Sequence, residues 1–230
     1  MLVRVDDFFE FFAVDETLRL HGERAAAQAA EKANGMTRLE DYEALAAIAL
    51  CFRPSRIFEI GTHLGITSDF FLGLLPECHV ISICYQNPLW RFLGRSCNNS
   101  RLPKEKMGSE VSDEHRSRFT QIYGDSHKLN SNLLLKDYGR FDLVFIDGDH
   151  SHAGVSHDTE LTKEIISDSG IICWHDANPK PKYLDVRQYL EDSLPLTAVA
   201  TADTYTGGIA CWNKDVEKML SSVSNAVSKK

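Results

Sequence analysis

The chain has no C-x-x-C pair, no G-x-G-x-x-G, no apolar run long enough to span a bilayer and no excess of positive charge. Each absence removes a class of function. The six cysteines (Cys51, Cys78, Cys84, Cys97, Cys173 and Cys211) stand apart, and Cys51, Cys84, Cys173 and Cys211 lie in or beside apolar runs. They read as small buried side chains of a reducing compartment rather than zinc ligands or disulfides. The missing glycine fingerprint speaks against a nicotinamide-dependent oxidoreductase. A net charge of −8 gives no global attraction to nucleic acid or an anionic membrane, so neither is an expected partner. The opening MLVRVDDFFEFF holds two early aspartates and no cleavage-like signal, so a cytoplasmic rather than secreted protein is expected.

What is present is a rhythm of strands and helices. With 230 residues, and no repeat or low-complexity linker, the chain fits one large domain with a small accessory piece. Residues 16–34 and 38–52 read as helices, the first ended by Asn34-Gly35 and the second stopped at Pro54. Apolar runs at 57–61, 78–85, 120–125, 141–149 and 170–176 read as strands, with helices at 66–75, 153–167 and 183–193. The runs 195–201 and 207–212 read as an antiparallel pair. Such alternation predicts an α/β fold: a Rossmann-like, doubly wound, mostly parallel sheet of seven strands with an antiparallel last strand, plus N-terminal helices. The expected divisions are an N-terminal helical extension (1–38), a main domain (39–214) with a cap-like insertion (87–117), and a tail (215–230). The insertion carries Arg91, Arg95, Arg101, Lys104, Lys106 and Arg116. It reads either as a solvated loop or as a cap whose cations help hold an acceptor. The Phe-rich start, with Phe8, Phe9, Phe11 and Phe12, is consistent with a lid, a packed helix or a homodimer contact.

In an open α/β sheet, ligands bind at the carboxyl ends of the strands. The first strand, RIFEIG, runs into a turn with Gly61 and Gly65 and then a helix, an arrangement that cradles a nucleotide-like ligand. The third predicted strand ends in Gly124, Asp125 and Ser126. The block FDLVFIDGDHSH delivers Asp147, Asp149 and His150, and CWHDAN delivers His175 and Asp176 from the next strand. Buried charges at strand tips are costly unless paired or metal-bound. Adjacent tips carrying carboxylate and imidazole can share one divalent cation, Mg²⁺ or a softer ion, or use the same groups for hydrogen bonding alone. His152 could line such a pocket, while His157 reads as a surface residue.

Taken together, FEIGTHLGIT, YGDS, FDLVFIDGDHSHAGVSHDTEL and GIICWHD resemble the successive motifs of class I S-adenosylmethionine-dependent methyltransferases of the macrocin O-methyltransferase type. The resemblance covers residues 40–212. It implies that Glu59, Gly61, Thr62 and Gly65 hold the methionine moiety, with His63 flanking the cofactor. It places Gly124, Asp125 and Ser126 near the adenine. It implies that Asp147 borders the cofactor and ligates a metal with His175 and Asp176, and that Asp149 acts as general base. His150 is the other candidate base, since an imidazole titrates near neutral pH. Two positions depart from the pattern. Cys84 stands where an acid usually binds the ribose hydroxyls, leaving Gln86 or Asn87 to substitute. His175 stands where metal-dependent relatives often carry Asp.

The leading expectation is therefore transfer of a methyl group from S-adenosylmethionine to a hydroxyl of a small molecule or sugar, as in natural-product or polysaccharide biosynthesis, with divalent-metal assistance. The rival readings are a non-catalytic methyltransferase-like scaffold, a nicotinamide-dependent oxidoreductase and a metal-assisted hydrolase.

Overall fold

The computed structural model describes residues 2–85, 102–177, 184–194, 197–199 and 208–218. Gln86, Asn87, Arg91, Arg95, Arg101 and Cys97 of the sequence reading lie outside the described residues. The strands are β1 Leu2–Val3, β2 Arg56–Ile60, β3 His79–Cys84, β4 Phe119–Tyr123, β5 Phe141–Ile146, β6 Ile166–Trp174, β7 Thr197–Val199 and β8 Ile209–Trp212. The helices are α1 Val5–Phe11, α2 Glu16–Ala33, α3 Leu39–Phe52, α4 Ile66–Leu74, α5 Ser131–Tyr138, α6 His152–Ile165 and α7 Leu184–Ser193.

Six strands carry the sheet that positions the site, in the order β4-β3-β2-β5-β6-β8. They are parallel except β8, the last strand among the described residues, which pairs antiparallel with β6. The expected count of seven needs correction. Beyond β8 lie two short strands, β7 and the two-residue β1, which bring the sheet to eight among the described residues. Leu2–Val3 was too short to show a period in the sequence. The expected 195–201 and 207–212 pair is present as β7 and β8, antiparallel.

Strand alternation sends side chains to two cores. In β5, Leu143 and Phe145 pack with α1–α4, while Val144 and Ile146 pack with α5, α6 and α7. In β2, Phe58 and Ile60 join the second core and Ile57 the first. Helices thus cover both faces, which is why the parallel strands read as continuous apolar runs. The N-terminal helices contribute side chains to the first core. Tyr42 and residues 44–50 of α3 are buried, and at Gly22 an added Cβ would lie 2.8 Å from Leu50 Cδ1, so α2 and α3 are in close contact.

The strand expected at 170–176 begins earlier, at Ile166, directly after α6. Phe141 pairs with Ile166 but Leu143 pairs with Ile171, so β6 carries an irregularity of extra residues there. The described part of the 87–117 insertion folds onto the glycine turn. Gly108 N–H donates to His63 O (3.0 Å), Glu110 N–H donates to Leu64 O (2.9 Å), and Met107 and Val111 are buried. Arg118 closes this segment by donating to the backbone carbonyls of Leu72, Leu75 and Cys78.

Candidate active site

The strand tips are laced together at one edge. Gly61 N–H donates to Ile83 O (2.9 Å), Gly124 N–H to Cys84 O (3.0 Å), Asp147 N–H to Ile60 O (2.8 Å) and His175 N–H to Ile146 O (3.0 Å). The residue after each strand is thereby tied to the end of its neighbour. That ladder brings the glycine turn, the Gly124-Asp125-Ser126 turn, the D-G-D turn and the His175-Asp176 pair to the same carboxyl edge.

The glycine turn depends on close backbone approach. At Gly61, φ is +114°, and an added Cβ would lie 2.0 Å from Asp147 O. Gly65, at φ +87°, caps the N-terminus of α4. Glu59 does not face the open edge. It is 1% exposed, and its Oε2 accepts hydrogen bonds from the Ser68 and Ser82 hydroxyls. Thr62 is also buried, bonded to Ser82 Oγ (2.6 Å) and to Gln121 Nε2 (2.9 Å). Glu59 and Thr62 therefore support the turn from beneath. Burial pushes the Glu59 carboxyl up to about 7, against the two serine hydrogen bonds, which favour its charged form. His63 is exposed at the turn's outer side, and the buried Cys84 thiol takes the position at the tip of β3.

Four ligand-type side chains converge beside this turn: Asp147, His150, His175 and Asp176, with ligand atoms within 4.8 Å of one another. His150 Nε2 lies 2.7 Å from Asp176 Oδ2 and 3.4 Å from Asp147 Oδ1. His175 Nδ1 lies 3.1 Å from Asp147 Oδ1 and 3.4 Å from Asp176 Oδ2. Burial alone would lower the pKa of both imidazoles. The surrounding carboxylates outweigh it, raising His150 to about 9 and His175 well above its ordinary value. In turn, burial would raise the carboxyls, but the two histidines hold Asp147 and Asp176 below the usual range. Asp176 takes a left-handed backbone, φ +56°, which turns the chain immediately after the pair.

A further acid, which the sequence reading did not single out, completes the group. Asp41 of α3 is 1% exposed, and its Oδ2 lies 3.3 Å from His175 Nε2. Its Oδ1 accepts the Gly208 N–H at 2.7 Å, fixing the start of β8. The available signal was position: Asp41 lies four residues before Leu45 and beside Tyr42, on the apolar face of α3.

Other expected residues stand apart. Asp149 is exposed and turned back on its own loop, its two oxygens accepting from Ser151 N–H and Ser151 Oγ at 3.0 Å each. Asp125 caps the turn that follows it by accepting from His127 N–H (3.1 Å). The His152 ring packs edge-on against Tyr189 of α7, 5.4 Å between centroids. Trp174 is fully buried and donates to Thr159 Oγ1 (3.0 Å), as a packing residue.

The donor set fits a divalent cation. Two carboxylates and two imidazoles in one partly buried cluster suit a borderline ion, and His150 adds a ligand to the set expected from sequence. Binding such an ion would displace the imidazole protons. No described helix is long and apolar enough to cross a membrane.

Comparison with known proteins agrees with this geometry. A family profile described as a methyltransferase domain matches residues 58–177, just over half of the chain. The uncharacterized protein y4gI of Sinorhizobium fredii is 21% identical over 183 residues. That match takes in 76% of this chain but 19% of y4gI, so the chain spans about a fifth of the length of this curated relative. Among solved structures, CalS11, a calicheamicin methyltransferase, is similar with a TM-score of 0.52 at 15% identity, over 70% of this chain and 73% of that one. The S-adenosylhomocysteine-bound methyltransferase PaMTH1 of Podospora anserina is similar at TM-score 0.51 and 15% identity, over 87% and 89% of the two chains. The O-methyltransferase of Bacillus cereus, also in complex with S-adenosylhomocysteine, is similar at TM-score 0.51 and 16% identity, over 83% and 90%. The structural likenesses establish a shared fold, and the profile match establishes the lineage: this chain belongs to the methyltransferase-domain family.

Proposed function

We propose that the chain is an S-adenosylmethionine-dependent O-methyltransferase acting on a hydroxyl of a small molecule or sugar, with a divalent cation assisting. The observation that carries this reading is the juxtaposition of the glycine turn on β2 with the acid–imidazole cluster on β5 and β6, joined by the Asp147 N–H to Ile60 O hydrogen bond.

The geometry supports the following division of labour. The turn from Gly61 to Gly65 offers close backbone approach to the methionine end of the cofactor, over the Glu59–Ser68–Ser82 support. The Gly124-Asp125-Ser126 turn borders its other end. Asp147, His150, His175 and Asp176 would hold the cation. A bound cation lowers the pKa of an acceptor hydroxyl and fixes its direction. The protein then has to align that oxygen behind the sulfonium methyl and accept one proton. Alignment of this kind accounts for much of the rate in transfers from an already activated donor. Asp149, exposed at the edge, is the candidate base with the cation in place, and His150, inside the cluster, is the alternative base of a metal-free site. The name of the Bacillus cereus enzyme, an O-methyltransferase, supports a hydroxyl as acceptor.

The test is methyl transfer from S-adenosylmethionine to a panel of sugar and phenolic hydroxyls, read by mass spectrometry with and without a chelator. The reading expects chelator-sensitive transfer that Asp147→Ala abolishes while cofactor binding persists. Full activity in Asp147→Ala would remove the metal-assisted mechanism.

A further inference from the structure

A second group of ligand-type side chains shares no member with the Asp147 cluster. His127 follows Ser126 in the turn after β4, and His157 and Asp158 sit side by side on α6. One ligand atom from each lies within 4.8 Å of the others. The two imidazoles stack, with centroids 4.2 Å apart and planes inclined by 29°. His157 Nδ1 is 3.8 Å from Asp158 Oδ1, beyond hydrogen-bonding distance.

Asp158 is the unusual member. It is 0% exposed, and neither of its carboxylate oxygens, nor the buried His157 Nδ1, has a hydrogen-bond partner among the described residues. It lies directly under the D-G-D turn: a Cβ added at Gly148 would sit 3.2 Å from Asp158 Oδ2. With only the Ser126 hydroxyl near it and no well-formed hydrogen bond, a buried carboxyl is costly whether charged or neutral. Such a group calls for an explanation, and a bound ion or ordered water is the usual one. Burial raises its pKa, with Ser126, His127 and His157 opposing the rise.

We propose that His127, His157 and Asp158 form a second cation site, distinct from the Asp147 cluster, that takes a borderline divalent ion such as Zn²⁺. Two imidazole nitrogens and one carboxylate oxygen are the donors such an ion prefers, and three protein ligands leave a fourth position for water. The ion supplies the positive countercharge for the buried carboxylate. His127 is exposed on a short turn, so its side chain has the freedom to close the remaining distance. Occupancy ties the Gly124-Asp125-Ser126 turn to α6, which makes this ion a structural link across the edge assigned to the cofactor.

The test is titration with Co²⁺, followed by visible absorption, and with Zn²⁺ by calorimetry. The proteins are the wild-type chain, His127→Ala/His157→Ala, His127→Gln and Asp147→Ala. The proposal expects the double variant to lose one binding site that Asp147→Ala retains. It expects His127→Gln, a milder change, to weaken that site at least about tenfold. It expects Zn²⁺ to raise the melting temperature of the wild type by more than that of the double variant. If the Asp147 cluster binds no metal, the wild type binds one equivalent and the double variant none, so the proposal survives failure of the metal-assisted reading. Equal stoichiometry and affinity in the wild type and the double variant would overturn it, as would wild-type affinity in a folded His127→Gln.

Discussion

Asp41 Oδ2 sits 3.3 Å from His175 Nε2, so a helix before the first motif reaches the core of the candidate active site. The same carboxylate holds Gly208 N–H at 2.7 Å, and therefore joins α3, β6 and β8. Helix α3 is part of the site's construction, because His175 is flanked on one side by Asp147 and Asp176 and on the other by Asp41.

Removing that carboxylate leaves the buried Gly208 N–H without its acceptor and His175 Nε2 without its facing charge, while Asp147 and Asp176 still face Nδ1. Breaking a buried pair by deleting one member typically costs about 3–5 kcal/mol. Asp41→Ala is expected near that range in urea unfolding. Asp41→Asn retains an acceptor for Gly208 and is expected to lose about half as much.

Glu59 predicts a pH dependence of stability. Its carboxyl is raised from the ordinary range to about 7, so the folded state holds its proton more tightly than the unfolded chain. Between roughly pH 4.5 and 7 the folded state therefore binds more protons, and stability falls as pH rises through that window. The full shift corresponds to at most about 3 kcal/mol. Glu59→Gln is expected to flatten this slope, checked by unfolding the two proteins at pH 5 and pH 8. An unchanged slope contradicts the assignment.

Asp69 gives the opposite sign. Burial would raise its carboxyl, but Lys32 Nζ (2.9 Å), Ser112 N–H and Oγ, and His115 Nδ1 (2.6 Å) bring it down to about 2. Its contribution is fully present above the ordinary carboxylate range and is lost as pH falls through about 2. Lys32 is about half exposed, so water screens part of the effect. Asp69→Asn is expected to cost about 1–2 kcal/mol at neutral pH and to loosen residues 112–115, read as faster amide exchange there.

Gly61→Ala tests the glycine turn itself. The added Cβ meets Asp147 O at 2.0 Å in a backbone conformation, φ +114°, that side chains rarely adopt. Strain and overpacking each cost about 1–3 kcal/mol. The variant is expected to lose roughly 3 kcal/mol or more by chemical denaturation, and to bind cofactor poorly even where it stays folded.

The sheet was legible in the sequence because a parallel sheet buried on both faces writes its strands as apolar runs. FDLVFI became β5, and HVISIC became β3. The D-G-D turn and the His175-Asp176 pair were legible for the same reason: polar residues at the ends of such runs fall on one edge. Side-chain direction was less visible. The motif singled out Glu59 but not its setting: strand parity puts it with Ile57, on the face packed by α4, where its Oε2 accepts from the Ser68 and Ser82 hydroxyls. Asp41 was hidden by sequence distance, since nothing local in LEDYEALAAIALCF announces a partner on β6. The His127–His157 stack was hidden similarly, because it joins a β4 turn to α6 through the fold alone. Helix α5 escaped notice because it is short, eight residues begun by an Asn130 cap.

Isothermal titration with S-adenosylhomocysteine tests the central claim most directly. The account predicts saturable one-to-one binding in the micromolar range, about −8 kcal/mol, kept in Asp147→Ala and lost in Gly61→Ala. No binding to the folded wild-type protein, with or without divalent metal, would contradict it and would favour a methyltransferase-like scaffold that no longer uses the cofactor.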